Sequence, residues 1–230
     1  VLDKEPANLK TINKNDSSLL KESKTLDNAL IRENFQRNFA LKKLHEVNDN
    51  DLILINDLDE IPELKNFSYK NKITIFKQRM LYFKFNLVYK NLSWTGSKIC
   101  KKKDLISPQW LRNIKTRKYP LWRLDIFFSK KKYNNIEIIE NGGWHFTNIK
   151  TADEIHHKMK SFLHHFEYEN SGLNPEMIEK LIKDKKALYN YNADQRDNKW
   201  SNNSELEKIN LEFLPDYINE NLDKYQNWLN

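Results

Sequence analysis

The chain reads as an α/β protein, a mixed sheet flanked by helices and closed by helical segments at its C-terminal end. Three observations carry this. Leu52–Ile55 is an uninterrupted apolar run after the polar turn Asn48–Asp51, as expected of a strand buried on both faces in a parallel sheet. Between Met80 and Tyr89 every odd position is apolar (Leu81, Phe83, Phe85, Leu87, Tyr89), a period of two that marks a strand. Thr151-Ala152-Asp153-Glu154 is a capping box opening a helix whose apolar stripe is Ile155, Met159, Phe162 and Phe166.

The remaining elements follow in order. Residues 1–26 are polar and weakly patterned, a lead-in with room for one short strand at its start. From Asp27, Leu30, Ile31, Phe35, Phe39, Ala40 and Leu44 fall near one helical face, opposite Arg32, Glu33, Gln36 and Arg37. Ile73–Ile75 is short and β-branched, and Trp94–Cys100, containing Gly96, is a further strand. Ser107-Pro108 starts a helix over Gln109–Lys115. Leu121–Phe128 looks buried, although it holds Arg123 and Asp125. Strand residues from Ile136 lead to Gly142-Gly143 and Trp144-His145-Phe146. Asn174-Pro175 caps a helix through about Leu188, 190–204 is loop, and 215–229 is the closing helix. All 230 residues are expected to form a single domain.

Composition narrows the function. A net charge of +7 favours anionic partners: phosphorylated donors, nucleic acid or an acidic membrane surface. The basic residues are interleaved with 32 acids, and only Lys101–Lys103 and Lys130–Lys132 form runs, so nucleic acid is not expected as a partner. The single cysteine excludes an intramolecular disulfide. No apolar run approaches the ~20 residues of a membrane span. Four glycines, with no G-x-G-x-x-G and no Walker A loop, argue against dinucleotide and P-loop sites. His157 and His164 lie about 10 Å apart along a helix axis, too far to share a zinc ion from that helix alone.

The chemistry concentrates at Asp51–Pro62, DLILINDLDEIP. A hydrophobic strand delivering Asp57, Asp59 and Glu60 at its carboxyl end suits a hard divalent cation bridged to phosphate. In an extended backbone Asp57 and Asp59 point the same way; capping of a short helix by Asp59 is the competing reading. At Gly142-Gly143 a bulge or a close backbone approach to a ligand is expected; Trp144 offers a flat platform and His145 a nitrogen ligand or proton carrier, and a buried Trp beside a hydrogen-bonded His is the competing reading, favoured on these residues alone.

In this order, RENFQRNF (32–39), DLILINDLDEIP, GGWHFT (142–147), KMKSFLHHFEY (158–168) and LPDYI (214–218) resemble glycosyltransferase family 17 over roughly residues 27–220. That family includes the enzyme that adds the bisecting N-acetylglucosamine to glycoproteins. The resemblance implies a GT-A-like fold and inverting transfer from a UDP-sugar, UDP-GlcNAc above all, to a hydroxyl of an oligosaccharide or glycoconjugate. It places Mn²⁺ or Mg²⁺ on Asp57 and Asp59, with His145 completing the shell. Arg32, Gln36, Arg37 and Arg79 become candidates for the donor phosphates and Gly142, Gly143 and Trp144 for the sugar. Asp125, Glu140 and Glu167 are candidates for the catalytic base. Either His164 or His165 matches the family's histidine in the SFLHHFEY segment. The family carries more chain ahead of its arginine-bearing helix, so a fragment short of the first strand is expected, with Val1–Asp3 as a remnant strand. The expected setting is the cytoplasm or the cytoplasmic membrane periphery for a bacterial or viral chain, and the Golgi lumen for a eukaryotic one. A non-catalytic glycan- or nucleotide-binding relative, and a metal-dependent nucleic-acid protein, are the other classes.

Overall fold

In the computed structural model, which describes residues 4–120, 122–161, 165–192, 199–200 and 204–230, two mixed sheets run into one another and are flanked by helices. Val1–Asp3, Leu121, Phe162, His164 and residues 193–198 and 201–203 of the expected loop lie outside the described residues. The first sheet has the order β1-β6-β3-β7, formed by β1 (Leu52–Ile55), β3 (Ile73–Phe76), β6 (Lys98–Lys101) and β7 (Ile136–Ile139). The second has the order β2-β8-β4-β5-β9: β2 (Glu60–Pro62), β4 (Gln78–Tyr82), β5 (Leu87–Trp94), β8 (Gly143–Thr147) and β9 (Leu206–Lys208). Among the described residues β3–β7 and β4–β8 pair in parallel and the other pairings are antiparallel.

Four pieces of chain pass from one sheet to the other at one junction. Lys77 joins β3 to β4, Glu140–Gly142 joins β7 to β8, Asn56–Asp59 joins β1 to β2, and Thr95–Ser97 joins β5 to β6. Backbone bonds between Lys77 N and Ile139 O (2.9 Å) and between Gly142 N and Lys77 O (2.8 Å) stitch it together. The pair of glycines belongs to this stitch. A Cβ on Gly142 would lie 2.8 Å from Ile139 O, and one on Gly143 (φ +125°) would lie 2.2 Å from Ile61 O. Their lack of side chains serves backbone packing.

The DLILI strand is placed differently from expectation. β1 is an edge strand with one antiparallel partner, and Leu52 is exposed. The strands buried on both faces are β3 and β4, whose eight apolar or neutral core positions are almost all inaccessible. Nor does Asp59 cap a helix: Glu60–Pro62 pairs with β8. The alternating run Met80–Tyr89 folds as a hairpin, β4 and β5, because Phe83 adopts φ +65° and turns the chain while keeping its apolar side chain buried.

Three cores hold the sheets. Met80, Tyr82, Tyr89, Ile155, Met159 and Ile178 pack β4 and β5 under α3 (Ala152–Lys160) and α5 (Pro175–Lys183). The capping box at Thr151 and Glu154 forms as the sequence demands, but the helix stops at Ser161 and α4 (His165–Ser171) follows. On the other face of the second sheet, Leu81 and Trp144 pack against Leu214 and Ile218. Those two come from a C-terminal segment that is a short α6 (Asp216–Asn219) and a 3-10 turn (Leu222–Trp228), not one helix. The first sheet is covered by Trp110, Leu111 and Ile114 of α2 (Pro108–Asn113) and its C-terminal end. α2 starts at the expected Ser107 cap, whose hydroxyl accepts from Trp110 N (3.1 Å).

α1 runs over Ser18–Phe39, starting within the expected lead-in because Ser17 caps it. Its expected apolar stripe is not buried: Leu30 and Phe35 are exposed, and the buried residue is Asn28, bonded to the backbone of Lys10 at 2.7 and 2.8 Å. α1 is held by polar contacts, among them Asn38 Oδ1 accepting from Gln109 N (3.0 Å) of α2. α5 ends at Lys183, short of Leu188.

Candidate functional site

The acids of DLDE sit on the β1–β2 connection at the sheet junction. Glu60 N donates to Asp57 O (3.1 Å), so the motif is a turn and not an extended strand. The two aspartates therefore have different neighbours. Asp57 Oδ2 accepts from Arg112 Nη2 (2.6 Å) and Oδ1 from Arg37 Nη2 (3.1 Å). Asp59 Oδ2 lies 3.5 Å from His145 Nε2.

Strand alternation explains which GWHF residue reaches the site. In β8 the side chains of His145 and Thr147 leave one face, and Trp144 and Phe146 the other. His145 is directly opposite Glu60, stacks on Trp94 (centroids 4.6 Å apart, 16° between planes), and has Thr147 Oγ1 3.2 Å from Nδ1 and 3.4 Å from Nε2, the nitrogen that also faces Asp59. Trp144 lies in the opposite core and donates Nε1–H to Phe213 O (2.6 Å). It is no platform for a sugar at the acids. Arg79, its partner in register, leaves the same wrong face, stacks over Phe213 (5.1 Å), and burial lowers its pKa.

Beneath the aspartates lies a charge network that the sequence reading passed over. The Glu60 side chain is fully buried. Its carboxylate accepts from Arg112 Nη1 (2.7 Å), Trp94 Nε1 (2.6 Å), Ser97 Oγ (3.2 Å) and Asp57 N (3.1 Å). Four donors around one buried carboxylate meet its need for charge and hydrogen-bond partners. Gly96 makes the room: a Cβ there would lie 1.8 Å from Glu60 Oε1 and 2.5 Å from Arg112 Nη1. Gly96→Ala is accordingly expected to cost about 1–3 kcal/mol through overpacking. Urea denaturation checks this, and an unchanged midpoint would refute it.

Burial opposes ionisation of Asp59, but the hydrogen bond and charge of His145, together with Lys158, outweigh it and hold the carboxyl below its ordinary range. Lys158, from α3, is itself half-buried with a pKa lowered by burial, and donates to Asn148 Oδ1 (2.9 Å). Two clefts flank the network. One of about 400 Å³ is lined by Glu33, Gln36, Arg37, Asp57 and Leu58; the other, about 390 Å³, by Trp94, Gly96, Lys98, Arg112 and Tyr191. Burial, then Tyr189 and Tyr89, and last the charge of Asp59 raise the pKa of Tyr191 on the wall of the second cleft. A larger hollow of about 690 Å³, between Asn86, Lys208–Glu212 and the last residues, is remote from this chemistry.

The other expected residues lie elsewhere. Arg32 pairs with Glu5 (2.9 Å) on the surface, while Gln36 is exposed on the wall of the Asp57 cleft. Glu140 is exposed and paired with Lys77 (2.9 Å). Glu167 accepts from Trp200 Nε1 (3.4 Å). Asp125 is held by Arg123 (2.8 Å) and Lys132 (2.6 Å), which lower its pKa to about 2. A carboxylate so acidic is a poor proton acceptor at neutral pH. Its ionised form persists as pH falls past the ordinary value near 3.8 and is lost only near 2, so an NMR titration of its carboxyl should report a midpoint near 2. A midpoint near 4 would contradict the pairing.

As a metal site, the arrangement offers few donors. Among the described residues there is no group of three or more His, Cys, Asp or Glu side chains positioned to hold an ion. Asp57 is engaged by two arginines, which leaves Asp59 and His145 as the donor pair. One carboxylate and one imidazole fit an ion that takes its remaining ligands from water and substrate phosphate, as Mg²⁺ and Mn²⁺ commonly do. They do not form a closed protein cage.

Compared with known proteins, the chain matches no family model, no curated protein and no solved structure. Among the described residues no helix is long and apolar enough to cross a membrane.

Proposed function

We propose that the chain is a metal-dependent glycosyltransferase that moves a sugar, GlcNAc by the sequence resemblance, from a nucleotide diphosphate donor to a glycan hydroxyl, on a GT-A-like scaffold. The observation that carries this reading is the meeting of Asp59 and His145 (3.5 Å), from segments far apart in the chain, near Lys158 and next to the turn where Arg37 and Arg112 hold Asp57. Two acids and one imidazole facing several cations form a place where a diphosphate and a divalent ion balance each other's charge. Arg37 and Arg112 would exchange part of their hold on Asp57 for phosphate oxygens, and Lys158 would do so from the Asp59 side. Trp94, stacked on His145, fixes the plane of the imidazole. The bound ion would supply neutralisation of charge on the departing diphosphate. Incubating the protein with UDP-GlcNAc and Mn²⁺, with and without chelator, tests this: metal-dependent release of UDP is expected, and the absence of release from UDP-, GDP- and CDP-sugars alike would refute it.

One observation favours a second reading. Asp57 already has two arginine partners and the metal donor set is small, as suits a module that binds a nucleotide or acidic glycan without turnover. Such a module would bind UDP equally with and without Mn²⁺ and would consume no donor.

A further inference from the structure

The segment expected to be buried, Leu121–Phe128, carries an exposed apolar cluster. Trp122 is 79% accessible, Leu124 72%, Phe127 69% and Phe128 91%. These side chains project from a long loop whose ends meet: Lys115 N donates to Lys131 O (2.8 Å) and Trp110 Nε1 to Lys130 O (2.6 Å). Ile126 is its buried pin. Tyr119 gathers the loop's cations, with Arg117, Arg123 and Lys132 at 5.7, 5.4 and 5.8 Å from its ring, and Asp125 bridges the last two. The loop is therefore organised by its own contacts while leaving its large apolar groups in water.

Charge identifies what covers them. Between residues 115 and 132 there are seven lysines and arginines and one aspartate, a net +6 in a chain whose total is +7. Asp125 answers Arg123 and Lys132, which leaves Lys115, Arg117, Lys118, Lys130 and Lys131 without an acid in the loop. A surface that answers all of them while also accepting a Trp, a Leu and two Phe side chains is the headgroup region of an anionic bilayer. Aromatic side chains favour that depth and lysines its negative potential.

We propose that the 115–132 loop docks the protein on anionic lipid membranes, with Trp122, Leu124, Phe127 and Phe128 entering the interface and the surrounding lysines and arginines on the headgroups. This stands independently of the glycosyltransferase reading, because its readout is lipid binding and not turnover.

Co-sedimentation of the full chain with vesicles tests it, comparing phosphatidylcholine alone with a phosphatidylcholine–phosphatidylglycerol mixture. Wild type is expected to pellet with the anionic vesicles only, with binding that weakens as salt is raised. The double variants Trp122→Ser/Phe128→Ser and Lys130→Gln/Lys131→Gln should each lower partitioning by about tenfold or more. Trp122 and Phe128 are so exposed that circular dichroism and thermal melting should be unchanged in the first variant. Failure of wild type to bind anionic vesicles, or equal binding by the apolar variant, would overturn the proposal. So would a wild-type dimer that Trp122→Ser/Phe128→Ser converts to monomer in the absence of vesicle binding, since a second copy would then be the occupant.

Discussion

Arg112→Met is expected to lower stability by about 3–5 kcal/mol, the range for breaking a buried ion pair by removing one partner. The Glu60 side chain has no exposure to solvent; the guanidinium of Arg112 pairs with it directly, through Nη1 at 2.7 and 2.9 Å, while Lys98 adds a more distant charge. The same guanidinium holds Asp57 through Nη2 (2.6 Å). Methionine fills similar volume, so the loss reports charge and hydrogen bonds more than a cavity. Adding Glu60→Gln should return a large part of the loss, because the uncompensated charge is then gone while the bonds from Trp94 and Ser97 retain an acceptor. Urea unfolding of wild type, both single variants and the double variant measures this directly. A single-variant loss below about 1 kcal/mol would show that Glu60 does not depend on Arg112.

The second large effect concerns chemistry. Asp59→Ala should reduce metal-dependent donor turnover by about a hundredfold or more, the scale on which preorganised groups at a developing charge act, while leaving the fold intact. Its side chain is 44% exposed, and the contact it loses is with His145 at 3.5 Å. By contrast, Asp125→Asn should leave turnover unchanged, since Asp125 is committed to Arg123 and Lys132 on the exposed loop. Initial rates of donor consumption separate the two. Equal rates for Asp59→Ala and wild type would remove Asp59 from the reaction.

Local signals were legible in the sequence where a residue acts through its own neighbours. Ser107, Thr151 with Glu154, and Asn174 each cap the helix expected of them, because capping is a contact within one turn. That DLDE and His145 belong to one place could also be read, but not their geometry. An extended backbone would have aligned Asp57 with Asp59; a turn bond from Glu60 N to Asp57 O sends them to different partners. Trp144 and His145 are adjacent in sequence and opposite in space, and strand alternation could have foretold that only one of them reaches the site.

Other parts of the site depended on long-range pairing. Arg112 sits in a short helix with nothing in its surroundings to mark it, and it meets Glu60 only because α2 packs over the sheet junction. Gly96 carried a signal, a glycine within a strand-like stretch, whose meaning becomes plain only with Glu60 in place. The LWRLDIFF run shows the limit of apolar patterning. Hydrophobicity predicts removal from water without saying whether the protein's own core or another surface provides it.

Calorimetric titration of UDP into the protein, with Mn²⁺ and then with chelator, tests the central claim most directly. UDP binding that requires Mn²⁺ is expected in wild type, and its loss in Asp59→Ala. UDP affinity that is the same with and without the ion, or unaffected by Asp59→Ala, would contradict it.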